Sequence, residues 1–104
     1  MNSYSVNITG SAEIDLNDII SYIANQFDAE ETAQTMLEII EEKLSSLATF
    51  PERAPIIDDE RLRLMGYRKI MIKNYIAFFS IDKANSIVNV ERVIYMRRDW
   101  QQIL

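Results

Sequence analysis

The side chains of this protein best suited to chemistry gather near its C-terminal end, in the stretch NVERVIYMRRDWQQIL over residues 89–104. Arg92, Arg97 and Arg98 stand there within seven positions, with Tyr95 between them. A guanidinium is always charged, and its planar fork grips a phosphate or a carboxylate through two parallel hydrogen bonds. The chain has no His and no Cys. That removes the usual general base near neutral pH, the commonest metal ligand, and any disulfide or thiolate metal site. The two Gly, Gly10 and Gly66, lie too far apart to build a phosphate-cradling loop. Chemistry, if any, falls to Arg, Lys, Tyr and carboxylates. The adjacent Asp58, Asp59 and Glu60 are of the type that holds Mg²⁺. No second ligand cluster accompanies them, so they read as solvated loop charge, and neither a metal nor a cofactor is expected.

The formal charge of −5 argues against a nucleic-acid partner when taken as an average. The average hides a split: residues 1–60 carry thirteen Asp and Glu against two Lys and Arg, residues 61–104 three against nine. Such asymmetry points to two surfaces with different partners. No window is apolar enough for a membrane span, and "MNSYSVNITG" has neither the basic start nor the apolar core of a signal peptide. A single domain over 1–104 with a cytoplasmic address is expected.

The elements that position these residues follow from hydrophobic period. In "YSVNI", Tyr4, Val6 and Ile8 alternate onto one side of a short strand. Thr9 or Ser11 then caps a helix over 12–27, where Leu16, Ile19, Ile20, Ile23 and Phe27 recur at helical spacing. Asp28 with Glu31 has the spacing of a capping box that opens a second helix, and Ala33, Met36, Leu37, Ile40, Leu44 and Leu47 carry its stripe to about residue 48. Glu38, Glu41 and Glu42 form its solvated face, and Pro51 ends it. "FPERAPIIDDERLRLMG" reads as a loop. From Tyr67 the period switches to 2: "YRKIMIK", a turn at Asn74, "YIAFFSI", a turn at "DKANS", and "IVNVERVIYM". The result is an α+β domain. An N-terminal strand and an antiparallel two-helix hairpin precede a three-stranded antiparallel meander, with the helices packed on one face of the sheet.

The second face is then open, or reserved for a partner. Alternation places Tyr75, Ala77, Phe79 and Ile81 on one side of the middle meander strand and Ile76, Phe78 and Ser80 on the other. On the preceding strand Tyr67, Lys69, Met71 and Lys73 alternate with Arg68, Ile70 and Ile72. On the last strand Arg92 shares parity with Val88, Val90, Ile94 and Met96. Aromatic, Met and basic side chains on a half-covered sheet suit an interaction surface.

Taken in order, "YSVNIT", "AEIDLNDIISYIANQF", "LATFPERAP", "GYRKIMIKNYIAFFSID" and above all the closing "RVIYMRRDWQQIL" resemble the RelE/ParE toxins of bacterial type II toxin–antitoxin modules. The resemblance spans essentially the whole chain, and its ending is the most specific part. It implies a cognate antitoxin as partner, a hetero-oligomer with it, and growth arrest as the outcome, with no metal or other cofactor.

The branches of the family differ in target. RelE-like members are ribosome-dependent mRNA endonucleases that work with Lys, Arg and often a C-terminal Tyr, a chemistry open to a protein without His. By that resemblance Lys69 and Arg98 stand at catalytic positions. The match is partial: Met71 replaces a second lysine, Ile76 replaces an arginine, and Leu104 falls near the place of the Tyr. ParE-like members bind and poison DNA gyrase without an active site, and the "RVIYMRRDW" ending is closer to their style. The expectation is therefore a ParE-like gyrase inhibitor of plasmid-stabilisation type. An mRNA interferase is the first alternative, and a degenerate member retaining only antitoxin binding the second. Arg68, Arg92, Tyr95, Arg97 and Arg98 are the expected target- and antitoxin-binding residues. Asp99 is expected to pair with Arg98 or cap the "DWQQIL" turn, and Trp100 to hold that turn against the sheet edge.

Overall fold

A computed structural model describes residues 3–26, 29–98 and 103–104. Strand β1 (Ser5–Ile8) leads into helix α1 (Gly10–Gln26), helix α2 (Glu30–Ser45), two short 3-10 turns (Ser46–Ala48 and Pro51–Arg53) and a five-residue helix α3 (Glu60–Leu64). Strands β2 (Arg68–Ile72), β3 (Tyr75–Asp82) and β4 (Ile87–Tyr95) follow. The α+β order expected from the sequence is the one observed.

The sheet order is β1-β4-β3-β2, with β2, β3 and β4 antiparallel and β1 running parallel to β4. The first strand thus pairs with the last, Ser5 to Ile8 lying opposite Ile87 to Val90. Tyr4, Val6 and Ile8 do face the helices, joining Ala12, Ile40, Leu44, Leu47, Ala77, Phe79, Val88, Val90 and Val93 in the main core. Both helical stripes supply that core, Ile40 being fully buried and Leu44 nearly so, while Glu38, Glu41 and Glu42 stay in water.

Several boundaries moved, each for a local reason. Helix α1 starts two residues early because Thr9 caps it: its Oγ1 accepts the Ala12 N–H at 3.3 Å and donates to the Val90 carbonyl at 2.9 Å, so one hydroxyl fixes helix to strand. The capping box expected for α2 is not at its N-cap, which is Ala29 and has no side chain to offer; Asp28, with Phe27, lies outside the described residues. The last turn of α2 tightens into the 3-10 turn at Ser46–Ala48. There Arg53 gathers the carbonyls of Ser46, Thr49 and Phe50, satisfying oxygens that a helix end leaves open. The turn between β2 and β3 places Lys73, not Asn74, at positive φ (54°).

Two findings change the picture of the sheet's second face. First, it is not open. Leu62 of α3 and Ile57 before it, both fully buried, pack with Ile76, Phe78 and Ile94 into a second core, against which Tyr67, Ile103 and Leu104 also pack. The loop expected over 50–66 therefore carries a cover: Asp59 caps α3 by accepting the Leu62 N–H at 3.1 Å, which spends one carboxylate of the acidic triple on structure. Among the described residues no group of three or more acidic side chains is gathered so that it could hold a metal ion. Second, a β-bulge interrupts β4. Phe79 lies opposite Val90 and Phe78 opposite Arg92, leaving Glu91 unpaired between them. Val88 and Val90 face the helices whereas Ile94 faces the second core, so the shared parity expected for Val88, Val90, Arg92, Ile94 and Met96 does not hold.

Candidate functional site

Four of the expected contact residues sit on β4 or just after it, but the fold uses them differently. Arg92 is turned to α1. Its Nε and Nη2 donate to the two carboxylate oxygens of Asp15 at 2.7 and 2.9 Å, and Asp15 also accepts the backbone N–H of Val93 at 3.0 Å. The reason lies in the length of β1. Pairing with β1 stops at Val90, so the edge of β4 beyond it would be bare. Thr9 takes the carbonyls of Val90 and Glu91, and Asp15 takes the next outward N–H. Asp15 thus stands in for the missing strand, and Arg92 neutralises it. The ion pair is largely shielded from water, with side-chain exposure of 27% and 12%. This bidentate grip holds the guanidinium of Arg92 even more firmly in its charged form.

Arg68 is also occupied. Its Nη1 donates to the carbonyls of Glu52 at 3.2 Å and Ala54 at 2.7 Å, binding the edge of β2 to the segment before α3. Lys69 is half-buried on the second face, in the same row as Phe78 and Arg92. The row of Tyr95 lies three residues further along the sheet, roughly 10 Å of strand, and Arg98 lies beyond that. The backbone therefore does not bring Lys69 and Arg98 together. Between them the face is apolar: Met71, Ile76 and Ile94 share one row, and the latter two are buried. Leu104 packs there too, its carbonyl accepting from Arg61 at 3.1 Å.

What the fold does bring together is the end of the sheet nearest the β2–β3 turn. Met96 donates its N–H to the Asn74 carbonyl at 2.8 Å and Arg98 donates to the Tyr95 carbonyl at 3.0 Å, so the turn after β4 is tied to the turn before β3. Arg97 and Arg98 are exposed on it, as is Lys73 across the gap. Tyr75 and Tyr95 lie opposite one another, with ring centroids 5.8 Å apart in an edge-to-face arrangement. Burial first, then the neighbouring phenols of Tyr95 and Tyr22, raise the pKa of Tyr75. Near neutrality it is a hydroxyl, not a phenolate base. Tyr22 of α1 thus joins Tyr75 and Tyr95 in a trio of phenols.

Tyr22, Tyr75 and Lys73 were not among the residues expected at the site. Counting back from the hairpin turn pairs Ile72 with Tyr75, yet the partner of Tyr75 on β4 depends on the bulge, which shifts the register by one and leaves no mark in the residue pattern. Asp99 and Trp100, expected to brace the arginines, lie outside the described residues.

This architecture is shared with solved toxins. The chain superposes on a protein of the chromosomal ParDE toxin–antitoxin system of Pseudomonas aeruginosa with a TM-score of 0.76, at 17% identity, over 93% of this chain and 100% of that one. Against a chain of the RelBE2 toxin–antitoxin complex of Mycobacterium tuberculosis the TM-score is 0.65, at 22% identity over 89% and 98%. Against a mutant of the Escherichia coli toxin RelE in the free state it is 0.61, at 18% identity over 98% and 99%. These likenesses establish the fold. No curated protein matches the chain by sequence. The sequence model of the ParE toxin of the type II toxin–antitoxin system parDE matches residues 6–100, nearly the whole length. With that match, and a fold common to ParE and RelE, the chain belongs to the ParE toxin family and is a toxin of a type II toxin–antitoxin system.

Proposed function

We propose that this toxin arrests growth by binding DNA gyrase, without cutting RNA, and that a cognate antitoxin silences it. The observation that carries the reading is the burial of the sheet face on which a RelE-like site would stand. Ile76, Phe78 and Ile94 are 6%, 0% and 3% exposed there. Cleaving a phosphodiester needs cations held around the scissile phosphate and a group to move its protons. Lys69 shares its face with an apolar core closed by Leu62, Ile103 and Leu104, and Arg92, in the same row, is tied to Asp15. Binding a protein asks less. The exposed Tyr95, Met96, Arg97 and Arg98 are residue types that anchor interfaces, set on a turn braced by Asn74. The family model names the parDE system, and two of the similar structures come from toxin–antitoxin systems, which supports an antitoxin as the second partner.

Purified protein tested in parallel separates the readings. It should inhibit supercoiling by gyrase or trap cleaved DNA, and leave mRNA intact on translating ribosomes. Codon-positioned cuts in mRNA would make it an interferase instead. Inactivity in both assays, with antitoxin still bound, would mark a member that keeps only its partner.

A further inference from the structure

We infer that the cations at the end of the sheet nearest the β2–β3 turn, Lys73, Arg97 and Arg98, contact the DNA that gyrase holds. The toxin then binds a composite of enzyme and nucleic acid. The inference rests on the reading above for the identity of the enzyme.

The turns before β3 and after β4 both extend past the Tyr75–Tyr95 row, and the bond from Met96 to Asn74 ties one to the other. Lys73 stands two residues before Tyr75, and Arg97 and Arg98 stand two and three after Tyr95. All three cations are exposed, and none is joined to a carboxylate among the described residues. Glu42 lines a groove with Lys73 but makes no ion pair with it. The arginines of the strands are treated differently. Arg92 is given Asp15, and Arg68 is given the carbonyls of Glu52 and Ala54.

Like charges on two linked turns repel one another, and a polyanion reverses that cost. At the rim of a protein interface an exposed ion pair contributes little. Against a duplex each neutralised phosphate releases counterions, and the gains accumulate. The two arginines add a two-pronged grip on phosphate oxygens. Between the cations, Tyr95 and Met96 are 39% and 41% exposed, an apolar area suited to the protein surface of the enzyme. Free DNA is a poor partner for the same chain. Residues 1–60 carry thirteen Asp and Glu against two Lys and Arg, and the net charge is −5. Repulsion from a bare duplex is offset when a second protein supplies affinity and presents phosphates to one end of the toxin.

The test measures binding of full-length toxin to gyrase alone, to a linear duplex alone, and to gyrase loaded with that duplex, across a salt series. At low salt the loaded enzyme should bind at least about tenfold more tightly than gyrase alone, and the duplex alone should bind weakest. Each phosphate contact adds about 0.9 to the slope of log K against log salt, so DNA should steepen that slope by about two to three. Lys73 has a positive φ of 54°, a backbone that Asn tolerates, so Lys73→Asn removes the charge without straining the turn. Lys73→Asn and Arg97→Ala should each lower the slope by about one and cut the gain from DNA about three- to tenfold. Binding to gyrase that DNA does not strengthen, with a slope the substitutions leave alone, would overturn the DNA contact while the gyrase reading stands. A slope lowered equally with and without DNA would place the cations on an acidic patch of the enzyme instead. Tight binding to the duplex alone would overturn the composite. If folded toxin binds neither form of gyrase, the gyrase reading and the DNA contact fall together.

Discussion

Replacing Asp15 by Ala is expected to cost about 2–3 kcal/mol of folding stability, the largest effect of any acidic residue among the described ones. On its own helix Asp15 is one of several carboxylates. In the fold it accepts three hydrogen bonds, two from Arg92 and one from the Val93 backbone. Removing it leaves a half-buried guanidinium and a strand N–H without partners. A fully buried pair broken on one side loses about 3–5 kcal/mol, and the 27% exposure of Arg92 lets water recover part of that. For a domain of this size the loss lowers the melting temperature by roughly 10–20 °C. Asp15→Asn keeps one acceptor and should lose about half as much. A double-mutant cycle with Arg92→Ala should return a coupling above about 1 kcal/mol. Additive single losses in that cycle would show that the contact contributes nothing to stability.

Arg98→Ala should do the opposite: abolish growth arrest and leave the fold intact. Arg98 is exposed on a turn whose backbone bonds do not involve its side chain. Its loss should change stability by about 0.5 kcal/mol or less. If its guanidinium is buried against a target group, losing the contact costs on the order of 2–5 kcal/mol, a factor of about 30 to several thousand in affinity. Arg97→Ala should act the same way, whereas Arg92→Ala should act through stability. Toxicity at matched expression, read beside thermal melts, separates the two behaviours. A fully toxic Arg98→Ala protein would remove this arginine from the site.

The contrast among the arginines also marks how far the sequence can be read. Helices of sixteen and seventeen residues repeat their pattern several times, so α1 and α2 were legible, as were the alternating strands. The second core was not. It is assembled from Ile57, a five-residue helix and two residues near the chain's end, pieces too short to show any period. Without it, the face carrying Lys69 reads as an open surface. The role of Arg92 was hidden for a different reason. Its partner lies 77 positions away, and only the early end of β1 explains why a carboxylate is wanted there. Arg97 and Arg98, by contrast, stay exposed on the turn after β4.

The pairing of the first strand with the last has a consequence for how the toxin comes into being. Ser5 to Ile8 find their hydrogen-bond partners at Ile87 to Val90, and Asn7 meets Asn89 across 82 positions. Contacts so distant in sequence form late, since the intervening chain must be closed into a loop before they return any energy. During synthesis the helical hairpin can form early, but the ribosome must release β4 before β1, the Thr9 cap and the Asp15 lock have anything to hold. A nascent chain shorter than that has an unpaired N-terminal strand and lacks Arg97 and Arg98. The toxin therefore acquires its paired first strand and its exposed cations at one stage of synthesis, once β4 and the turn after it have emerged.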